Sequence, residues 1–397
     1  LIGKLIITAT AAAMLAGGTS AQTIRIGLSG PFTGSSAAMG VPMRDGAKLA
    51  ASRINQAGGI EGQQIVLVER DDEGIVERGV EIAQELIGGE HVVATVGFVN
   101  NDVALASQRF YETAEIPVLN AVATGARITH QFEQPEFKAN YIFRIAVNEV
   151  VQADMIVREA VTRSGFKRPA LLVEGTDEGT AGRKYLLKAL QTAGVKPVAD
   201  ATFNVADTNV GSRLAVAKLA NADVILTFGR ARDLANIANS MGLLGWKLPI
   251  LGDEDLSSSA FIDKAGANGE GASMPQTFIQ TGDTEKRAAF IAAYQTTYRV
   301  IRMDYPDAAA QGYDSVWLLK AAIEQAGSTQ GPKIRAALEN LGTKVEGVVT
   351  TYNRPFSASD HEAITANIPV FGIVRNRHVV VAHEEDIAGD RAVRMKP

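Results

Sequence analysis

There is no cysteine among the 397 residues, which excludes disulfides, thiol catalysis and a lipid-modified N-terminal cysteine. Histidine is scarce. His91, His130, His361, His378 and His383 are scattered, with no HxxxH pair and no triad spacing. Basic residues do not dominate: 39 Lys and Arg stand against 44 Asp and Glu, a net charge of -5. That balance argues against a nucleic-acid partner, whose affinity rests on clustered basic side chains. Low-complexity tracts and long Pro/Ser linkers are missing, and beyond the N-terminus no segment is long and apolar enough to span a bilayer. The glycine-bearing loop 27–34 lacks GxGxxG, and Pro31 stands where a phosphate-binding helix would start. Ser29-Gly30-Pro31 lacks the spacing of a nucleophile elbow. Asp71-Asp72 has no third ligand at matching spacing and reads as a structural cap. No cofactor and no metal are expected.

What is present is globular: 46% hydrophobic and 21% charged residues, at a length that suits two domains. The opening LIGKLIITATAAAMLAGGTSAQ places one lysine before an apolar run and ends in small residues. It reads as a secretory signal peptide cleaved after Ala21, its run too short for the roughly 20 residues of a span. Lys4 is its one charged residue, so the exported chain carries 38 basic against 44 acidic residues, a net charge of -6. A bacterial periplasm, without a lipid anchor, is the expected compartment.

The stretch ATVGFVNNDVALASQRFYETAEIPVLNAVATGARIT (94–129) organises the rest. Short apolar runs predict strands over 92–96 and 116–119, with a helix over 103–114 between them and polar loops after each strand. This is a βαβ unit of a parallel sheet, and ligands bind such sheets in the crevice at the carboxyl ends of the strands. Asn101, with Asn100 beside it, and Thr124 are therefore brought to one rim. The competing reading makes Asn101 the N-cap of a helix starting at Val103, and Thr124 a turn residue.

Strand and helix alternate on both sides of this unit. A first set begins with a strand over 23–30 and a helix carrying Met43, Ala47, Ala50 and Ile54 on one face. A second set runs from about 140 to a strand over 249–251 that ends in Gly252-Asp253-Glu254-Asp255. Two long amphipathic helices (285–302 and 307–326) and a short one (332–340) follow, and strand character returns from 345. Helices appended this late complete the first sheet only if the chain crosses back. Crossings are expected near 142–146, 272–277 and 348–352, giving lobes of 22–142 plus 275–349 and of 143–274 plus 350–397.

The segments SGPFTG, GAKLAASRINQAGGIEGQQIVLVERDD, the 94–129 stretch and the LGDED loop resemble the branched-chain amino acid (Leu/Ile/Val) binding proteins of bacterial ABC transporters. The resemblance runs in order from about Thr23 to the C-terminus. It implies the type I periplasmic binding protein fold: two Rossmann-like parallel-sheet lobes joined by three hinge strands, closing on a small solute. It further implies that Asn101 and Thr124 hold an α-carboxylate, and that the carbonyl of Val122 and the acid Glu254 hold an ammonium. Asp253 and Asp255 are the substitutes for Glu254, and a solvated or capping loop is the bland reading of all three. Where the family often supplies aromatic walls, this chain has Met39, Arg230 and Ala308-Ala309; Arg230 also reads as an ordinary solvated arginine.

The expected function is capture of an amino acid, branched-chain or otherwise hydrophobic, by a monomer that delivers it to an inner-membrane permease. The alternative solute is an aromatic or other small organic acid. An enzyme on the same scaffold lacks a nucleophile or cofactor fingerprint. A transcriptional regulator would need a helix-turn-helix where this chain begins with a leader.

Overall fold

The computed structural model describes residues 23–387 apart from 134 and 206, together with 391–393, 395 and 396. The leader expected over 1–21 lies outside these residues. The chain opens with β1 (Ile24–Gly30), α1 (Ala37–Gln56), β2 (Ile65–Asp71), α2 (Val76–Gly88), β3 (Ala94–Gly97), α3 (Asn101–Thr113), β4 (Val118–Asn120) and β5 (Ile142–Arg144). These five strands form one parallel sheet in the order β2-β1-β3-β4-β5. Next come α4 (Glu149–Val157), β6 (Pro169–Glu174), α5 (Asp177–Thr192), β7 (Ala199–Phe203), α6 (Gly211–Leu219), β8 (Val224–Thr227), α7 (Ala231–Leu243), β9 (Ile250–Gly252), α8 (Ser259–Ala265) and β10 (Ser273–Gln276). The last part holds α9 (Glu285–Tyr298), α10 (Pro306–Ala326), α11 (Gly331–Glu339), β11 (Val345–Glu346), β12 (Thr351–Tyr352), β13 (Val370–Arg375) and β14 (His378–Val381). The second sheet runs β14-β13-β10-β9-β8-β6-β7, parallel from β7 to β10 and antiparallel at β13 and β14. Each sheet has its own buried apolar core, as helices on both faces of a parallel sheet require.

The late helices do return to the first lobe. α10 packs along α1 so closely that a Cβ on Gly46 would stand 1.9 Å from the carbonyl oxygen of Ala309, and one on Gly312 2.1 Å from that of Met43. Phe290, Tyr313 and Ile323 complete that core. Phe356, Ala363, Ile364 and Ile368 join it too, so the chain re-enters the second sheet only at β13.

Buried charged side chains pin the backbone at β5 and after β10, where the chain passes between the sheets, and at the turn before β12 inside the first-lobe core. Arg144, at the end of β5 and fully buried, donates to the Gly125 carbonyl at 2.6 Å and to Glu362 at 2.8 Å. Asp307 accepts the amide of Phe278 at 2.5 Å, just after β10. Asp314 accepts the amides of Val348 and Val349 at 2.7 and 2.9 Å and the hydroxyl of Tyr352 at 3.0 Å. Carboxylates with several donors tolerate burial because the hydrogen bonds replace hydration. Among the described residues no helix is long and apolar enough to cross a membrane.

Candidate ligand-binding site

The loops that leave β1, β3 and β4 in the first lobe face those that leave β6, β8 and β9 in the second. Between them lies a cavity of about 440 Å³. Asn100, Asn101, Val122, Thr124 and Met39 line it from one side, and Arg230 and Glu254 from the other. Seven of the eight residues expected at the site therefore share one cavity. Ala308 does not. It is fully buried on α10 within the first-lobe core, while Asp307 and Gln311 face a small neighbouring void of about 10 Å³. The helical turn decides this, because neighbours in sequence point about 100° apart.

The helix expected from Val103 begins two residues earlier, at Asn101, and Asn100 takes the N-cap position with extended backbone (φ −82°, ψ 130°). Asn101 is thus not the cap. Its Oδ1 accepts the amide of Gly125 at 2.8 Å, and its Nδ2 donates to Oε1 of Glu149 at 3.0 Å. Asn100 donates to Ser36 Oγ at 3.1 Å. Glu149, in the first turn of α4, is nearly fully buried and also binds the backbone amide of Ala126, while its own amide donates to the Thr124 carbonyl at 3.1 Å. Burial raises its carboxyl above the usual range, against the pull of Arg144 and Asn101. A protein carboxylate thus takes up the Asn101 amide, one of the two donors that the resemblance assigned to a bound α-carboxylate.

Glu254 begins a short 3₁₀ turn, and its amide donates to Gln152 Oε1 at 3.2 Å. Its Oε2 is shielded from solvent and has no hydrogen-bond partner. Burial first, and then the charge of Asp255, push its carboxyl well above the normal range. It caps nothing: α8 is capped by Ser258, whose Oγ accepts the amide of Ala260. Glu254 also borders the small void behind the cleft, with Val122, Tyr305 and Asp307.

Three acids crowd the start of α7. Oδ2 of Asp253 accepts the amide of Gly229 at 2.9 Å, Oε2 of Glu174 that of Arg230 at 2.9 Å, and Oδ1 of Asp255 that of Ala231 at 3.0 Å. Carboxylates are favoured there because the first amides of a helix lack intrahelical acceptors and carry its positive pole. Arg230, at the N-cap, lines the cavity and makes no ion pair among the described residues. The loop after β6 adds Thr176, and α5 adds Asp177, Glu178 and Tyr185; none was singled out from the sequence. Glu178 follows a strand end just as Arg230 does, and that position at the carboxyl end of a parallel strand is the signal that could have found it. Asp71 and Asp72 act as structural caps: Asp71 holds the amide of Phe32 at 2.8 Å, and Asp72 that of Gly74 at 2.9 Å.

Residues 23–374 match the family model described as "Periplasmic binding protein". The chain belongs to this family. Periplasmic binding proteins of this type are transport components, not enzymes, and the two-sheet architecture is their type I fold. Similar curated proteins include Leu/Ile/Val-binding protein homolog 3 of Brucella melitensis, 25% identical over 83% of this chain and 86% of that one. Another is the leucine-, isoleucine-, valine-, threonine-, and alanine-binding protein of Pseudomonas aeruginosa, 25% identical over 80% and 83%. Among solved structures, the branched-chain amino acid transporter substrate-binding protein LivJ of Streptococcus pneumoniae, in complex with isoleucine, superposes with a TM-score of 0.78. It is 26% identical and covers 90% of this chain and 98% of its own. A solute-binding protein of R. palustris in complex with 4-hydroxybenzoate shares the fold at a TM-score of 0.77 and 19% identity, over 91% and 96% of the two chains. The periplasmic binding protein described here thus keeps the family's two-sided cleft with a charged second wall.

Proposed function

We propose that this chain is the solute receptor of an ABC importer, a periplasmic monomer that captures an α-amino acid between its lobes and presents it to an inner-membrane permease. Glu254 carries the proposal. A buried carboxylate oxygen without a partner, set in the wall opposite Val122 and Thr124, is costly until a cation reaches it. An α-ammonium supplies that cation, and the 122–126 loop faces the ligand from the other side. The names of the relatives, which specify leucine, isoleucine and valine, support the same class. The ligand draws the lobes together because only the closed form contacts it from both walls.

Isothermal titration with the proteinogenic amino acids tests this reading. At least one is expected to bind, and Glu254→Gln is expected to weaken it tenfold or more. Equal affinity in both forms would remove Glu254 from its role. A second reading, an aromatic or other small organic acid, draws on Arg230, whose guanidinium lines the cavity with no ion pair among the described residues. Benzoate-type ligands binding wild type and Glu254→Gln alike would favour it.

A further inference from the structure

The cavity wall is unevenly charged: Asp102, Glu149, Asp177, Glu178, Glu254 and Asp255 line it against two cations, Arg127 and Arg230. Of these acids, Glu149 is engaged by Asn101 and the first-lobe loop, and Glu254 serves the ammonium in the proposed reading. A separate group remains beyond Glu254. Glu178, Asp253 and Asp255 each bring a carboxylate oxygen within 4.8 Å of the other two. Capping of α7 accounts for one oxygen of Asp253 and one of Asp255, but not for their convergence with Glu178. Asp253 is 2% exposed, and its Oδ1 is buried without a hydrogen-bond partner. Arg230 stands close enough to offset one charge of the three, which leaves the group acidic.

We infer that Glu178, Asp253 and Asp255 form a second cation-binding subsite, which receives a positively charged group on the side chain of the bound amino acid. The inference rests on the amino-acid reading above and narrows it to solutes with two positive centres, such as L-lysine or L-ornithine. Glu178 and Asp255 face the cavity directly, and Asp253 backs them as the unpartnered acceptor. Burial pushes all three carboxyls up, Asp255 to about 6 and Glu178 to about 8, and the charge of Asp255 adds to the rise at Asp253 and Glu178. A cation entering the group keeps it ionised, so binding near neutral pH expels protons.

L-Lysine and L-norleucine differ only by the terminal ammonium, so titrating both into the exported chain isolates the subsite. Lysine is expected to bind at least tenfold more tightly, with proton release that differs between buffers of different ionisation enthalpy. Glu178→Gln, a partly exposed position on α5, should shrink the lysine-to-norleucine ratio several-fold. Norleucine or leucine binding as well as lysine would overturn the subsite and leave the amino-acid reading standing. No binding of any amino acid would overturn that reading and the subsite with it. Calcium chloride alone raising the melting temperature, reversed by EDTA and abolished in Glu178→Gln, would assign the three acids to a metal ion and overturn the inference.

Discussion

At the scale of single residues, the chain places its charges where geometry gives each one a partner, and the exceptions mark the cleft. Arg144 shows the rule. Its guanidinium is fully buried, yet Glu362 and the Gly125 carbonyl satisfy it, and Thr129 also donates to Glu362. Burial would raise the Glu362 carboxyl, but Arg144 outweighs it and holds the group below its ordinary value. Arg144→Met removes one partner and leaves a buried carboxylate, so urea denaturation is expected to show a loss of about 3–5 kcal/mol. Adding Glu362→Gln to that variant should recover much of the loss, because no unpaired charge then remains. Glu254, Asp253 and Glu174 are exceptions at the cleft, each with a buried oxygen that finds no donor. The place of Glu254 and Asp253 in the LGDED loop, after a strand, was visible in the sequence. That Asn101 is spoken for by Glu149 was not, because the two are 48 residues apart and meet only through folding.

At the scale of elements, close approach of α1 and α10 completes the first lobe. Gly46 and Gly312 are helical positions where the facing backbone leaves no room for a methyl group. Gly46→Ala should force the helices apart and cost about 1–3 kcal/mol in thermal or chemical unfolding, despite the better helix propensity of alanine. The periodicity of residues 43–54 announced the helix and its buried face, and Met43, Ala47, Ala50 and Ile54 are all fully buried. Its partner lies more than 250 residues away and has no local signal. Element ends were also less legible. α3 starts at Asn101 rather than Val103, and β4 spans Val118–Asn120, later than the strand expected over 116–119. Two adjacent asparagines are each acceptable caps, and only the positions of Gly125 and Glu149 settle which one turns aside.

At the scale of the whole molecule, buried acids make stability depend on pH in an unusual direction. Burial lifts Asp255 and Asp314 to about 6, Glu174 and Asp307 to about 7 and Glu178 to about 8, from ordinary values near 4. Between those limits the folded chain holds more protons than the unfolded one. Stability contributed by these groups is therefore present at about pH 4–5 and is lost as the pH rises toward 8. Asp71, Asp263 and Glu362, whose carboxyls lie below their ordinary values, act the other way, but only under about pH 4.5. The melting temperature without ligand is thus expected to be higher at pH 5.5 than at pH 8, and Glu178→Gln should narrow the gap. A melting temperature that rises steadily from pH 5.5 to 8 would contradict it. Asp307 and Asp314 belong to this set and also hold backbone amides, those of Phe278 after β10 and of Val348 and Val349 before β12.

The alternation of apolar runs and amphipathic helices was enough to determine two sheets that are parallel through β10, because each period reflects which face of a local element must be buried; the antiparallel β13 and β14 were not legible this way. Glycine, proline and asparagine at the strand ends were enough to point to one rim, since loops at the carboxyl ends of parallel strands converge. Only the tertiary structure decided what stands on that rim unsatisfied. Whether a carboxylate is held, as Glu149 is, or keeps one buried oxygen without a donor, as Asp253 and Glu254 do, depends on groups distant in sequence, and no local pattern encodes their distances. The same holds for Ala308, which the resemblance placed at the cleft and which helical rotation turned into the core.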